Sequence, residues 1–433
     1  MTMTAILITG GRIIDPANTL DLQADLLIED GRIAAVGRNV HAPHVAEIID
    51  AAGLIVAPGL IDMHVHLREP GLEHEETIAS GSRAAVAGGF TTVCAMPNTD
   101  PCVDNEGAVA FVVNQGLAAD QANVLPIGAI TLGRKGEQMA EFGQMVRAGA
   151  VAFSDDGDSV RNSGLLRQCM TYGKMFGKPF ISHAEDKDLA AGGVMHAGAV
   201  SARLGLPGMP AAAEEIIVSR DITLARMAGS KLHIAHVSAA GSVDIIRAAK
   251  KSGVAVSAEA TPHHLALTDE TIASFDPNFK MSPPLRAADD VAALKEGLRD
   301  GSIDCLASDH APHEREEKEL EFAFAPFGVI GLESSLAVYI RELVAANVLS
   351  WPALIARMTI NPARILGIDR GTLAKGAVAD VTVIDPDLQW TIDVEKFQSK
   401  SRNCPFHGQS VRGKAVLAIV AGQIKFCHVP RPA

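Results

Sequence analysis

The middle of the chain alternates short apolar runs with stretches whose apolar residues recur at helical spacing. Such alternation predicts strands and helices in turn. The predicted strands cover residues 60–68, 91–97, 123–131, 150–156, 179–186, 232–238, 254–262 and 303–310. The helices predicted between them include residues 75–87, 105–118, 165–176, 212–227 and 242–250. This rhythm favours an α/β fold of the TIM-type (β/α)8 barrel class over a doubly wound sheet.

The two ends of the chain show a different pattern, in which short β-like runs stop at turn residues. A β-rich segment on each side of an α/β middle predicts a small β-sandwich that both termini build together. We therefore predict the two parts of the sandwich at residues 1–56 and 366–433, and the barrel at residues 57–365. Longer stretches around residues 187–215 and 314–322 are predicted to be loops over one rim of the barrel.

Composition and charge exclude several classes of protein. Hydrophobic residues make up 48% of the chain and charged residues 21%, which is typical of a globular protein. The net charge of −13 argues against nucleic acid or an anionic membrane as a partner. We expect neither a secretory signal nor a membrane span, because no apolar run approaches ~18 residues. The six cysteines show no C-x-x-C pairing, which favours a reducing cytoplasm over a disulfide framework.

The most informative motif is Asp62-Met63-His64-Val65-His66-Leu67-Arg68. Side chains at positions i and i+2 share one face of a strand, so His64 and His66 would converge on one point, with Arg68 beside them. Paired imidazoles suit Zn²⁺ and similar divalent ions. The alternative is a histidine pair on an exposed strand edge. The apolar residues that precede the motif favour a buried strand and therefore a metal site.

Further metal-competent residues fall at the C-terminal ends of other predicted strands. In a β/α barrel these ends meet at one mouth, where the active site lies. The candidates are His64, His66, Asp155, Asp156, His183, His236 and Asp309. Four imidazoles and two carboxylates exceed one tetrahedral site, which favours two divalent ions with a carboxylate between them.

The aspartates among these candidates have different predicted roles. Asp309 would lie beside the reacting water, take its proton and deliver it to a leaving nitrogen. Of Asp155 and Asp156, one would be a ligand and the other a helix cap or turn residue. The pattern alone leaves open which is which.

These motifs resemble the amidohydrolase superfamily and, within it, the class I dihydroorotases. The resemblance covers nearly the whole chain. The His-x-His and Ser308-Asp309-His310 elements occur across the superfamily, whereas Leu67-Arg68-Glu69-Pro70-Gly71 and Ala311-Pro312-His313 are much more specific to dihydroorotases. The resemblance implies reversible, zinc-dependent ring closure of N-carbamoyl-L-aspartate to L-dihydroorotate, a step of pyrimidine synthesis.

The resemblance also implies roles for particular residues. His64, His66 and Asp309 would hold one zinc ion, His183 and His236 would hold a second, and Asp156 would bridge the two. The implied contacts to the substrate are Arg68, Asn98, His313, Phe327 and Gly328, and the first three of these would bind its carboxylate. As partners, the resemblance implies a small-molecule substrate, a homodimer and a possible association with aspartate transcarbamoylase.

Two departures from relatives bear on the alternatives. Many superfamily members bridge their metals with a carboxylated lysine, but residues 150–157 contain none, and the nearest are Lys135 and Lys174. Ser282 stands where related dihydroorotases often have asparagine, which leaves open any contact that asparagine would make to the ring.

Two alternative functions remain at this point. One is another cyclic amidase, a dihydropyrimidinase or an allantoinase, and the missing lysine together with Arg68 and His313 speaks against it. The other is a non-catalytic, dihydroorotase-like partner of aspartate transcarbamoylase. Chains of that kind lose metal ligands, whereas all six predicted ligands are present here.

Overall fold

The computed structural model describes residues 5–43 and 46–428, and its centre is a nearly closed barrel of eight parallel strands. The strands pair in chain order, and a bridge between Val65 and His310 brings the first and last strands together. The prediction of a (β/α)8 barrel is confirmed. The barrel strands are Leu60–Val65, Phe90–Ala95, Asn123–Gly128, Ala152–Ser154, Phe180–Ser182, Leu232–Ile234, Val256–Ala260 and Cys305–Leu306.

The barrel strands are covered on both sides, which explains why they appear in the sequence as nearly continuous apolar runs. Every residue of Leu60–Val65 and of Phe90–Ala95 is buried. The helices around the barrel are Ile78–Ala87, Glu106–Ala119, Phe142–Ala148, Ser163–Gly173, Ala212–Ala228, Ala240–Lys251, Ala288–Asp300, Ser335–Tyr339, Trp351–Met358 and Ile360–Leu366. Several of them begin at a side-chain cap: the Thr77 hydroxyl, for example, accepts a hydrogen bond from the Ser80 amide at 3.1 Å.

The strands of both chain ends form one connected sheet beside the barrel, which confirms that the two termini build a β structure together. Ile55–Pro58 pairs antiparallel with the first residues of Val381–Thr391, so the two ends of the chain meet within the sheet. Apolar side chains from both ends share a core, for example Ile13, Leu26 and Val383. The strands of the sheet are Ala5–Asp15, Leu20–Glu29, Arg32–Gly37, Glu47–Asp50, Ile55–Pro58, Val381–Thr391, Ser410–Val420 and Gln423–Cys427.

Three connections lie over the barrel mouth and shape the site. Residues 187–215 contain the short helices Lys187–Ala190 and Ala199–Leu204 and the paired strands Met195–His196 and Gly208–Met209. The charged stretch after the eighth strand contains the short helix Arg315–Lys318. Residues 398–404, which we call the strap, leave the terminal sheet and contact the barrel loops. Across residues 5–43 and 46–428, no helix combines the length and apolarity needed to cross a bilayer.

Candidate metal centre

The first barrel strand ends at Val65, earlier than predicted, so strand alternation positions His64 but does not extend to Arg68. The amide of His66 instead donates a hydrogen bond to the carbonyl of His310 at 2.8 Å, which ties the first strand to the eighth. Arg68 has a φ of 63°. The chain therefore turns at Arg68, and this local turn, rather than the alternation of a strand, sets the direction of the side chain.

Left-handed backbone recurs at this mouth. His236 has a φ of 31° and Asp309 a φ of 49°, each just beyond the end of its strand. Such values are uncommon for residues other than glycine, and they cluster at functional sites, where the surrounding structure compensates their cost. Each of these strands thus ends shortly before a polar residue of the site.

One group of donor atoms is formed by His64, His66 and Asp309. The Oδ1 atom of Asp309 lies 3.4 Å from Nε2 of His64 and 3.2 Å from Nε2 of His66. The three ligand atoms all lie within 4.8 Å of one another. All three residues are buried.

A second group lies next to the first and shares Asp156 with it. The Oδ1 atom of Asp156 is 3.6 Å from Nδ1 of His183 and 3.7 Å from Nε2 of His236. On the other side, Asp156 approaches Nε2 of His64 at 3.4 Å and Nε2 of His66 at 3.5 Å. The structure thus brings together all six side chains that the sequence singled out as ligands, with Asp156 between the two groups.

The spacing of these atoms fits divalent ions. Four ligands at the usual Zn–N and Zn–O distances of about 2.0–2.1 Å stand about 3.3 Å apart in a tetrahedron, close to the separations around Asp309. In addition, the buried atoms Nε2 of His64 and Oδ1 of Asp156 face each other at 3.4 Å without forming a hydrogen bond. Buried polar atoms normally have partners, and a cation between them would satisfy both.

The charges of the site are mutually dependent. Burial alone would raise the pKa of Asp156, but the positive charge of His64 and the neighbouring imidazoles of His183 and His236 hold that pKa well below its usual range. Burial also opposes a charge on His64, yet Asp156 and Asp309 raise its pKa well above the usual value. The pKa of Asp309 is lowered in spite of burial, chiefly by His64 and His66. Both carboxylates are therefore anionic and matched to positive charge.

Glu259, on the seventh strand, was not predicted as part of the site. Its Oε1 accepts a hydrogen bond from Nδ1 of His64 at 2.8 Å and its Oε2 accepts one from Nε2 of His233 at 3.0 Å. Burial would raise the pKa of Glu259, but hydrogen bonds from His233 and His64 lower it to about 2. A carboxylate on the outer nitrogen fixes the tautomer and orientation of a metal-binding histidine. The one available signal in the sequence is a charged residue inside an apolar strand.

We expect Glu259→Gln to weaken metal retention by about 10–100-fold, because His64 would lose the carboxylate that orients it. Competition with a chelator, followed by metal analysis, measures the change. Glu214→Gln is a matched control, because Glu214 is equally buried but accepts hydrogen bonds from the amides of Ser238 and Ala239, at 3.1 Å each. Equal metal retention in the two variants would contradict the role of Glu259.

The structure also separates the two adjacent aspartates. The Oδ1 atom of Asp155 accepts hydrogen bonds from the amides of Ile130 at 2.8 Å and Thr131 at 3.0 Å. Asp155 therefore stabilises a neighbouring turn, while Asp156 faces the histidines. Asn98 lies close by, and its Oδ1 is 2.8 Å from Nδ1 of His66.

Arg68 is only 7% exposed and lies beside His313 at the edge of the histidine cluster. Its Nε atom is 2.7 Å from Oε2 of Glu75 and donates a hydrogen bond to the carbonyl of Pro312 at 3.0 Å, and its Nη2 is 3.2 Å from Nε2 of His313. Arg68 is therefore paired with Glu75. Two nitrogen-bearing side chains thus meet at the edge of the histidine cluster.

The remaining predicted contacts lie around the same point. The carbonyl of Phe327 is 2.8 Å from Nε2 of His313. Gly328 has a φ of 132°, and a Cβ there would approach Nε2 of His313 to 3.0 Å, so this position requires glycine. Ser282 donates a hydrogen bond from its hydroxyl to Oε2 of Glu185 at 3.0 Å.

Two buried lysines hold the loop that carries Phe327 and Gly328. Nζ of Lys318 donates hydrogen bonds to the carbonyls of Gly328 at 2.9 Å and Pro326 at 3.0 Å. Nζ of Lys280 donates to the carbonyl of Ala325 at 2.7 Å and lies 4.6 Å from the centre of the Phe327 ring. Backbone dipoles thus surround both ammonium groups.

We expect Lys318→Met to flatten the dependence of stability on pH above neutrality. Burial lowers the pKa of Lys318 from 10.5 to about 7. Between these values the unfolded chain binds more protons than the folded one, so this lysine makes the free energy of unfolding rise with pH. Denaturant titrations from about pH 7 to 10 measure the slope. Lys396→Met, at a side chain that is 83% exposed, is the control, and parallel curves for the wild type and Lys318→Met would refute the expectation.

Comparison with known proteins identifies the family of the chain. Residues 53–242 match the model of a family described as dihydro-orotase-like. A dihydroorotase of Pelotomaculum thermopropionicum is 54% identical, over 97% of this chain and 98% of its own length. The chain belongs to the dihydroorotase family. A second member of the family, a dihydroorotase of Geobacter metallireducens, is 52% identical over 97% of this chain and 99% of its own length.

The fold is shared with a solved cyclic amidase. The L-hydantoinase (dihydropyrimidinase) of Arthrobacter aurescens superimposes with a TM-score of 0.88 at 28% identity, covering 99% of this chain and 97% of its own. Dihydroorotase-family residues rather than the shared fold must therefore account for any difference in substrate. In this chain Asp156 lies between the two groups of donor atoms. Lys174, one of the two lysines nearest in sequence to that strand, is engaged elsewhere, because its ammonium group donates to the carbonyl of Ala228 at 2.9 Å.

Proposed function

We propose that the chain is a dihydroorotase that interconverts L-dihydroorotate and N-carbamoyl-L-aspartate with zinc as its metal. One observation carries the proposal: the buried Arg68 and the partly buried His313 lie next to a centre of four histidines and two aspartates. The centre supports hydrolysis of a cyclic amide, and the adjacent pair supports recognition of a carboxylate. Dihydroorotate combines these two features in one small molecule.

Two zinc ions fit the donor set best in this proposal. His64, His66 and Asp309 would hold one ion, His183 and His236 the other, and Asp156 both. When bound, such a pair lowers the pKa of a water molecule and polarises a carbonyl group. The chain itself holds the six donors in a buried, low-dielectric pocket and orients His64 through Glu259.

Asp309 is the proposed proton carrier. Its anionic carboxylate lies at the centre of the site, with Oδ1 3.4 Å from Nε2 of His64 and 3.2 Å from Nε2 of His66, which is where the reacting water would be held. In hydrolysis Asp309 would take the proton of the attacking water and deliver it to the ring nitrogen as the amide bond breaks. In ring closure the same carboxyl group would act in the reverse order.

The carboxylate of the substrate is proposed to bind Arg68 and His313, with the amide of Asn98 nearby. A guanidinium group can grip a carboxylate with two parallel hydrogen bonds. Oδ1 of Asn98 is engaged by His66, which leaves its NH₂ group for an acceptor on the substrate. Phe327 and Gly328 complete the proposed site through their backbone, which lies against His313.

The other candidate functions receive less support. Hydantoins and dihydrouracil carry no carboxylate, so they would leave Arg68 without a substrate partner. A non-catalytic scaffold would not need these six donors side by side in one buried pocket.

An assay of the zinc-loaded protein tests the proposal. Mixing it with L-dihydroorotate should consume the absorbance of the ring amide, and carbamoyl aspartate should appear in equal amount. Dihydrouracil, hydantoin and allantoin serve as competing substrates. Turnover of one of these in preference to dihydroorotate would overturn the assignment.

We expect Asp309→Asn to lose about 10²-fold of its turnover, because the amide keeps the shape of the side chain but cannot carry the proton. The metal content of the same sample has to be measured, since Asp309 is also a proposed ligand. Full turnover with full metal content would show that another group carries the proton.

The reaction is proposed to occur in the cytoplasm, where the buried thiols of Cys94, Cys169, Cys305 and Cys404 would stay reduced. A homodimer and an association with aspartate transcarbamoylase stay predictions. Light scattering of the protein alone, and then mixed with a transcarbamoylase, tests both.

A further inference from the structure

The strap, residues 398–404, belongs in sequence to the C-terminal β segment but contacts the loops of the barrel mouth. Its residue Asn403 is 3% exposed and lies behind the proposed carboxylate site. The side chain is 92 residues away in sequence from Ala311, one of its hydrogen-bond partners. Nothing in the proposed chemistry uses this residue directly, so its burial and full hydrogen bonding need another explanation.

The amide of Asn403 connects two loops of the site. Its Oδ1 accepts a hydrogen bond from the backbone amide of His313 at 3.3 Å. Its Nδ2 donates one hydrogen bond to the carbonyl of Ala311 at 3.0 Å and another to the carbonyl of Gly328 at 3.1 Å. The backbone carbonyl of Asn403 also accepts from the amide of Ile330 at 3.0 Å. One residue thus fixes the backbone on both sides of the site.

The residues that Asn403 holds are the ones that position Arg68 and His313. Ala311 and His313 flank Pro312, whose carbonyl accepts the hydrogen bond from Nε of Arg68 at 3.0 Å. Because Asn403 fixes the backbone of residues 311–313, it sets the positions of both the Arg68 side chain and the His313 ring. Gly328 follows Phe327, whose carbonyl lies 2.8 Å from the same ring.

A second contact of the strap supports the other side of the pair. The hydroxyl of Ser401 donates a hydrogen bond to the carbonyl of Glu75 at 2.8 Å. Glu75 lies 2.7 Å from Nε of Arg68 and 3.4 Å from Nδ1 of His313. The strap therefore reaches the arginine and the histidine through two separate loops.

We propose that Asn403 is a positioning residue for substrate recognition: from outside the barrel, it sets the distance and orientation between Arg68 and His313. The inference rests on the proposed function, because it assumes that this pair binds the carboxylate of dihydroorotate. Asn403 does not touch the substrate. Its effect passes through His313 and through the Pro312 carbonyl.

The test is a double-mutant cycle with Asn403→Ala and His313→Ala in the zinc-loaded, full-length protein. Asn403→Ala alone should lower kcat/KM for dihydroorotate by about 10²-fold, since a misplacement of about 1 Å has an effect of that order. The loss should appear mainly as a higher KM, with metal content unchanged. In the His313→Ala background the further loss should be smaller, because the part of the effect that passes through His313 is already gone.

Asn123→Ala is the matched control. Nδ2 of Asn123 donates to the carbonyl of Thr91 at 2.9 Å and to Oδ2 of Asp380 at 3.2 Å, so this asparagine also joins the barrel to the C-terminal segment, but at the start of a barrel strand. Its effect on kcat/KM should be small and should multiply with that of His313→Ala. If Asn403→Ala fails to fold, Asn403→Ser takes its place in the cycle. The serine hydroxyl can replace only part of the hydrogen bonding, so kcat/KM should fall by a smaller factor, again mainly through a higher KM.

The outcomes separate the inference from the function. Three results would overturn the positioning role: losses that multiply independently in the cycle, a loss confined to kcat, or unchanged kinetics of the Asn403 variant. None of them would contradict the proposed dihydroorotase function. A wild-type protein without activity on dihydroorotate would overturn the proposed function, and this inference with it.

Discussion

An Asp156→Ala protein should lose most of its bound metal and with it at least about 10²-fold of its dihydroorotate turnover. The physical reason is the position of this carboxylate, which approaches His64, His66, His183 and His236 at 3.4–3.7 Å. Removing one partner of a buried charge cluster typically costs about 3–5 kcal/mol, or about 10²–10⁴-fold in binding. Metal analysis after gel filtration, together with the dihydroorotate assay, measures both effects.

Asp155→Ala is the control for that experiment, because it changes the same residue type one position earlier. Its carboxylate accepts from the amides of Ile130 and Thr131 and does not face the histidines. The variant should keep its metal and lose about 1–3 kcal/mol of stability, the usual cost of leaving buried donors without a partner. Similar metal loss in both variants would mean that Asp156 is not the shared ligand.

These two aspartates show how far a sequence can predict such a site. The positions of the strands follow from continuous apolar runs, and the barrel then brings the polar residues after each run to one mouth. This is why the histidine cluster could be anticipated from spacing alone. Which of the two aspartates points inward depends on the bend after Ser154, where the strand Ala152–Ser154 ends, and no periodic pattern determines that bend.

Contacts between residues far apart in sequence were the part that could not be predicted. Glu259 and His64 are 195 residues apart, and only the closure of the barrel places them 2.8 Å from each other. The contact between Arg68 and Glu75 likewise depends on the turn of the chain at Arg68, which no periodic pattern predicts. The strap that carries Asn403 crosses from the terminal sheet to the barrel mouth, and its pairings depend on loop conformation rather than on residue type.

The second large effect is expected at Arg68. Arg68→Ala should lower kcat/KM for dihydroorotate strongly, because removing one member of a desolvated charged pair costs ~2–5 kcal/mol. Arg68→Lys should recover little, since a single ammonium group cannot make the paired hydrogen bonds of a guanidinium group. Metal content should stay normal in both variants, because arginine is not a ligand. Arg286→Ala, at an equally buried arginine 3.5 Å from Glu214, is the matched control for loss of a buried cation.

The structure adds a complication at Arg68 that the experiment has to separate. Glu75 lies 2.7 Å from Arg68 and is itself 5% exposed, so Arg68→Ala leaves a buried carboxylate that repels the anionic substrate. The double variant Arg68→Ala/Glu75→Ala removes this repulsion but does not restore the grip on the carboxylate. We therefore expect the double variant to regain only part of the activity on dihydroorotate, and any activity on dihydrouracil, which has no carboxylate, to differ little from wild type. If the double variant recovered full activity on dihydroorotate, Arg68 would serve only to neutralise Glu75, and the carboxylate would be recognised elsewhere.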